Sequence, residues 1–171
     1  AAQMLEADVL VALTTYSLSH TNARQAVTDA GGRAASMPSF EARMLEPGGP
    51  MAADYAQIAA DCLAWADRLT RATEVRVRTP HGTDLRFSLE GRPGHLDDGI
   101  YDGTGAQQWG NLPAGETYAV PLEGTGQGVL VAPAGWYPDL DQDMVFEFEE
   151  GQVVALRGGG AVGDHFRELL R

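Results

Sequence analysis

Near Ala72 the spacing of apolar residues changes from about 3.6 to about 2, and that switch restricts the chain to a mixed α/β fold. Before it, Met51, Tyr55, Ile58, Cys62, Trp65 and Leu69 recur at alternating steps of four and three, with Asp54, Asp61 and Arg68 on the other side. This is the pattern of one long amphipathic helix. After it, Val75 and Val77 alternate with Arg76 and Arg78, Pro80-His-Gly-Thr83 supplies a turn, and Leu85, Phe87 and Leu89 alternate on the return. That is a β-hairpin.

Upstream, the continuous apolar run from Asp8 to Thr14 reads as a strand buried on both faces of a parallel sheet. Ser19 or Thr21 can cap a following helix, Gly31-Gly32 can stop it, and Arg33 to Met37 reads as the next strand, closed by Pro38. Downstream, strands are expected at Thr117 to Leu122 and Gly128 to Val131, with a hairpin from Met144 to Leu156 turning at Glu150-Gly151. The last eleven residues read as a helix. The expected fold is therefore α/β: a short parallel βαβ part plus a long amphipathic helix over residues 1–73, then a mixed, largely antiparallel β-rich lobe with a C-terminal helix over 74–171.

Charge and cysteine usage narrow the function classes. The 24 acidic side chains outnumber 12 basic ones, all Arg, for a net charge of −12, which repels nucleic-acid phosphates and anionic lipid. No nucleic-acid or membrane partner is expected. The single Cys62 cannot form an intrachain disulfide, and its place on the helical stripe makes it a small core residue. Cytoplasm is the expected compartment, and a homodimer is a plausible assembly. The chain opens without Met and ends inside an apparent helix, so it reads as a piece of something longer.

Several constellations resemble sites without becoming one. The histidines His20, His81, His95 and His165 form no HxH or HExxH pair, and no serine sits in a G-x-S-x-G elbow. Gly158-Gly-Gly160-Ala-Val-Gly163 fits G-x-G-x-x-G, but it follows an antiparallel hairpin and reads as a glycine turn into a helix. Asp139-Leu-Asp141-Gln-Asp143 with Glu150 mimics a calcium loop, yet Met144 occupies the place that needs glycine. The most specific segment is Asn111-Leu-Pro-Ala-Gly-Glu116, in which Pro113 and Gly115 make a tight turn that aims the Glu116 carboxylate.

That segment, followed by Ala119-Val-Pro-Leu-Glu-Gly-Thr125, resembles the sequence in which the aminopeptidase T family of metallo-aminopeptidases presents its first metal-binding glutamate. Thr14 to Arg24, Gly32 to Pro38, Asp54-Tyr55, Thr79 to Leu85, Glu150 to Val154 and Gly158-Gly159 agree in order. The resemblance implies a hydrolase that removes N-terminal residues from a peptide substrate, with two divalent ions (Zn, Co or Mn) activating water. Glu116 matches the metal ligand, Glu123 is a weaker candidate, and His20 lies just past a strand's carboxyl end, where α/β sheets favour ligand contacts. The other ligands would lie beyond Arg171, so the 171 residues alone are expected to be inactive. The same scaffold is also similar to that of ring-opening dihydroxypyridine dioxygenases, which use one ferrous ion. A non-catalytic α/β binding module is the remaining alternative.

Overall fold

The computed structural model describes residues 2–102 and 108–170, and it is a mixed α/β structure that divides into two compact units, residues 1–67 with 95–118, and 68–94 with 119–171. The first unit is built on strands β1 (Val9–Thr14) and β2 (Arg33–Pro38), parallel in register from Val9 opposite Arg33 to Thr14 opposite Pro38. Helix α1 (Asn22–Asp29) connects them. Thr21 is its cap: the Oγ1 accepts from the Arg24 amide at 3.2 Å, satisfying one of the first-turn donors. Gly31, at φ +89°, takes the chain out of the helix where a side chain would be strained.

Helix α2 (Tyr55–Arg71) is the long amphipathic helix expected from the sequence. It begins where Asp54 Oδ1 accepts from the amides of Ala56 and Gln57, at 3.1 and 3.2 Å, with Pro50–Ala52 forming a separate 3-10 turn before it. Its buried side is Cys62 and Ala66, flanked by half-buried Tyr55, Ile58 and Leu69. Trp65, placed on this stripe by its spacing, is instead 56% exposed. Ala66, one position further round, is buried in its place at 5% exposure.

A second departure concerns β1. Only Ala12 is buried on this strand, while Val9, Val11 and Leu13 are 49, 52 and 60% exposed. The reason is topological: the sheet runs β1, β2, then β6 (Trp109–Asn111), so β2 is central and β1 is an edge. Among the described residues nothing covers one face of that edge. Accordingly β2, not β1, carries the buried run Ala34, Ala35, Ser36 and Met37.

Two short strands in this unit were not apparent from hydrophobic spacing, β5 (His95–Asp97) and β6. Strand β5 pairs antiparallel with β7 (Glu116–Tyr118), which is shorter than the expected Thr117 to Leu122. The second unit is an antiparallel sheet in the order β10 (Gln152–Gly158), β9 (Met144–Glu149), β8 (Gln127–Ala132), β4 (Asp84–Ser88), β3 (Glu74–Arg78). Helix α3 (Gly160–Leu169) brings Val162 and Phe166 onto Ala132, Leu140 and Met144, the unit's core. Gly159, in the left-handed region at φ +78°, caps α3, so the glycine run is a turn into a helix as its context indicated.

No described helix is long and apolar enough to cross a membrane. Leu89, only 1% exposed, anchors the loop after β4. Leu89→Ala is expected to lower unfolding free energy by about 2–5 kcal/mol in urea denaturation, and a loss near zero would show that this side chain is not part of a packed core.

Candidate functional site

The first unit contains a cleft of about 500 Å³ at the carboxyl ends of β1 and β6, against the β5–β7 ribbon. Ser19 and His20 enter it from the turn between β1 and α1, the usual position for ligand contacts in a parallel sheet. Trp109 and Asn111, two residues apart on β6, project to one side of the sheet, and Glu116 and Tyr118 come from β7.

A half-buried carboxylate holds the floor. Asp97 of β5 accepts from the Asn111 backbone amide at 2.9 Å through Oδ2, while its Oδ1 accepts from the Tyr101 hydroxyl. The Tyr101 hydroxyl also lies 3.0 Å from the Asn111 carbonyl. Gly110 sits between, and a Cβ there would run into the Tyr101 hydroxyl and Asp97 Oδ1. Any larger residue at 110 would therefore displace the carboxylate that positions β6. Burial, followed by the hydrogen bond to Asp97, pushes the Tyr101 phenol far above its ordinary value.

The aromatic wall is built around a cation. The Arg24 guanidinium carbon lies 3.8 Å from the Trp109 ring centroid, and His20 meets the same indole edge-on at 5.9 Å. Arg24 is 5% exposed, and desolvation pulls its pKa below the ordinary value, partly offset by Asp29. Its Nε donates to the Ser19 carbonyl at 2.8 Å, so the same residue supports the indole and fixes the Ser19 turn. A guanidinium desolvated against an indole face gains a favourable cation–π contact. At the other wall His95 stacks on Tyr118, with centroids 5.0 Å apart and planes inclined by 22°.

Glu116 lies directly opposite Asp97 in the β5–β7 ladder, exposed at the cleft, and no described residue pairs with its carboxylate. The bend that delivers it is formed by the cis Leu112–Pro113 peptide and Gly115 at φ +131°. His20 shares the cleft with Glu116, whereas Glu123 belongs to the other unit and pairs with Arg92. His81 and His165 are also in that unit. Cys62 is buried on α2 as a free thiol, and Asp143 is occupied by the Ala134 amide at 2.9 Å. Hydrophobic spacing gave no signal for Asp97, Tyr101 or Arg24, because each acts through hydrogen bonds or a cation–π contact that apolar periodicity does not encode.

Among the described residues no three His, Cys, Asp or Glu side chains converge to hold a metal ion. Of the two carboxylates among the described residues lining the cleft, Asp97 is committed to Tyr101 and Asn111, and Glu116 is the other.

The model of a family described as 2,5-dihydroxypyridine 5,6-dioxygenase matches residues 1–171. The chain belongs to that dioxygenase family. A solved structure of 2,5-dihydroxypyridine dioxygenase from Pseudomonas putida matches with a TM-score of 0.68 at 22% identity, covering 98% of this chain and 47% of that one. The likeness is one of fold, and the chain spans about half the length of that structure. No curated protein matches.

Membership of the dioxygenase family corrects the aminopeptidase T resemblance, and with it the hydrolase class and the peptide substrate. The physical reason is visible in the segments that carried the resemblance. Gly32 to Pro38 runs into and forms β2, Asn111 to Glu116 forms the bend between β6 and β7, and Gly158-Gly159 opens α3. They specify strands, turns and helix starts of a scaffold, and a scaffold does not determine chemistry.

The raised Tyr101 pKa has a measurable consequence. Because the folded value lies above the unfolded one, the contribution to stability is complete below about pH 10 and is lost as pH rises past it. In an alkaline titration followed by phenolate absorbance, Tyr101→Phe is expected to leave the amplitude near pH 10 unchanged. A loss of one tyrosine's amplitude there would show that the Tyr101 hydroxyl titrates freely.

Proposed function

We propose that the cleft of the first unit binds the substrate of a dioxygenase that opens a dihydroxypyridine ring. The observation that carries this reading is the cleft's lining: a flat indole backed by a buried guanidinium beside polar groups held in fixed geometry, which suits a small planar aromatic ring with polar substituents. Membership of a family named for that reaction supports the reading.

The roles proposed for this chain's residues are binding and orientation. Trp109 offers the ring a stacking surface, made rigid by Arg24 from behind. Asp97 and Tyr101 keep β6 at a fixed distance from the β5–β7 ribbon, so the groups facing the ring do not have to reorganise when it binds. The Tyr101 phenol, held protonated, serves as a structural donor.

A dioxygenase is compatible with a divalent metal, and a single ferrous ion is the proposed cofactor in place of a pair of Zn, Co or Mn ions. Glu116 is proposed as a carboxylate offered to it, supported by its exposure to the cleft and its lack of a partner among the described residues. One carboxylate does not hold an iron, so the reaction steps at the metal are not assigned to these residues.

The test is oxygen uptake. The whole protein, loaded anaerobically with ferrous ion, is expected to consume dioxygen and bleach the ring absorbance of 2,5-dihydroxypyridine while leaving a leucine anilide intact. Amide hydrolysis without oxygen uptake would overturn the reading. Glu116→Gln is expected to lower bound iron per protein at equal folded concentration, and unchanged iron content would remove Glu116 from the ligand set.

A further inference from the structure

The Asn111 side chain is pinned in an orientation that its own chemistry does not dictate. Its amide can present either oxygen or NH2 to the cleft, and the two are nearly isosteric. Its Oδ1 end is taken by a chain of hydrogen bonds in the turn before α1. The Ser19 amide donates to Ser17 Oγ at 3.2 Å. Ser17 Oγ lies 2.9 Å from Ser19 Oγ and donates to it. Ser19 Oγ, 2.7 Å from Asn111 Oδ1, is left with its own proton to donate there. With Ser19 only 3% exposed, its hydroxyl is spent on Asn111 Oδ1, and Nδ2 is the end of the amide without an acceptor among the described residues.

The backbone of Asn111 is held as firmly. Its N–H donates to Asp97 Oδ2 at 2.9 Å, its carbonyl meets the Tyr101 hydroxyl at 3.0 Å, and β6 pairs with β2 through Ser36. No described residue accepts from Asn111 Nδ2, and the residue lines the cleft two positions from Trp109. The result is an N–H donor pair, oriented before any ligand arrives, beside a flat aromatic surface. Such a donor discriminates strongly, because a ligand without an acceptor at that place leaves it unpaired.

We infer that Asn111 is the specificity-determining residue of the cleft, its Nδ2 donating to one ring oxygen of a hydroxypyridine that lies against Trp109, with Ser19 as the positioning residue that sets the amide's orientation. This rests on the dioxygenase reading above and adds to it the group that distinguishes hydroxylated from unhydroxylated rings.

The experiment is anaerobic binding to the whole protein of 2,5-dihydroxypyridine, 2-hydroxypyridine and 3-hydroxypyridine, in the native protein, Asn111→Asp and Ser19→Ala. Asn111→Asp keeps shape and the acceptor for Ser19 but removes the donors. It is expected to weaken 2,5-dihydroxypyridine at least about tenfold, to weaken by a similar factor the one monohydroxy ring that retains the contacted oxygen, and to leave the other within about twofold. Ser19→Ala, which frees the amide to rotate, is expected to show the same selectivity at smaller amplitude, and it decides the matter if Asn111→Asp does not fold. Equal losses for both monohydroxy rings, or affinities within twofold of native in the folded variants, would overturn the role of Asn111 while leaving the dioxygenase reading standing. If the native protein binds none of the three rings, the dioxygenase reading fails and this inference fails with it.

Discussion

The Asp97 carboxylate is the contact on which the cleft depends. It takes one hydrogen bond from the Asn111 backbone and another from the Tyr101 hydroxyl, and in doing so fastens the short β5–β7 ribbon to a strand of the parallel sheet. Neither element would hold its place alone, because β5, β6 and β7 have three residues each. A charged acceptor gives stronger hydrogen bonds than a neutral one. Gly110 follows from the same contact, since the space a side chain would need is filled by the Asp97–Tyr101 pair.

The cleft's aromatic side uses a comparable economy of parts. Arg24 supports the indole of Trp109 and also fixes the Ser19 carbonyl, so the ring surface and the serine turn move as one. Ser19 in turn sets the Asn111 amide. A change in any of these residues therefore reaches the others, and separate substitutions there are not expected to be additive.

Much of the architecture was legible because it rests on local signals. The 3.6-residue stripe located α2, alternation located the β3–β4 and β9–β10 hairpins, and Thr21 and Gly31-Gly32 marked the ends of α1. What could not be read depends on distant partners. Strand β6 is three residues of Trp-Gly-Asn with no period to detect, and it is a strand only because β2 offers it a parallel edge. Val9, Val11 and Leu13 look like a buried strand, yet they fall on an edge, a matter of sheet order that apolar content does not encode. Glu116 and His20 could be nominated from their neighbours in sequence and do line one cleft, while Asp97 and Arg24 had no such mark. The aminopeptidase resemblance erred for a related reason: the motifs that were compared encode elements of a scaffold, and a scaffold does not fix the chemistry.

The most direct measurement is a crystal structure of the whole protein with a hydroxypyridine bound in the absence of oxygen. The ring is predicted to lie in the cleft of the first unit, against Trp109 and within hydrogen-bond distance of Asn111 Nδ2. A ring bound elsewhere, with this cleft holding only solvent, would contradict the assignment of substrate binding to these residues.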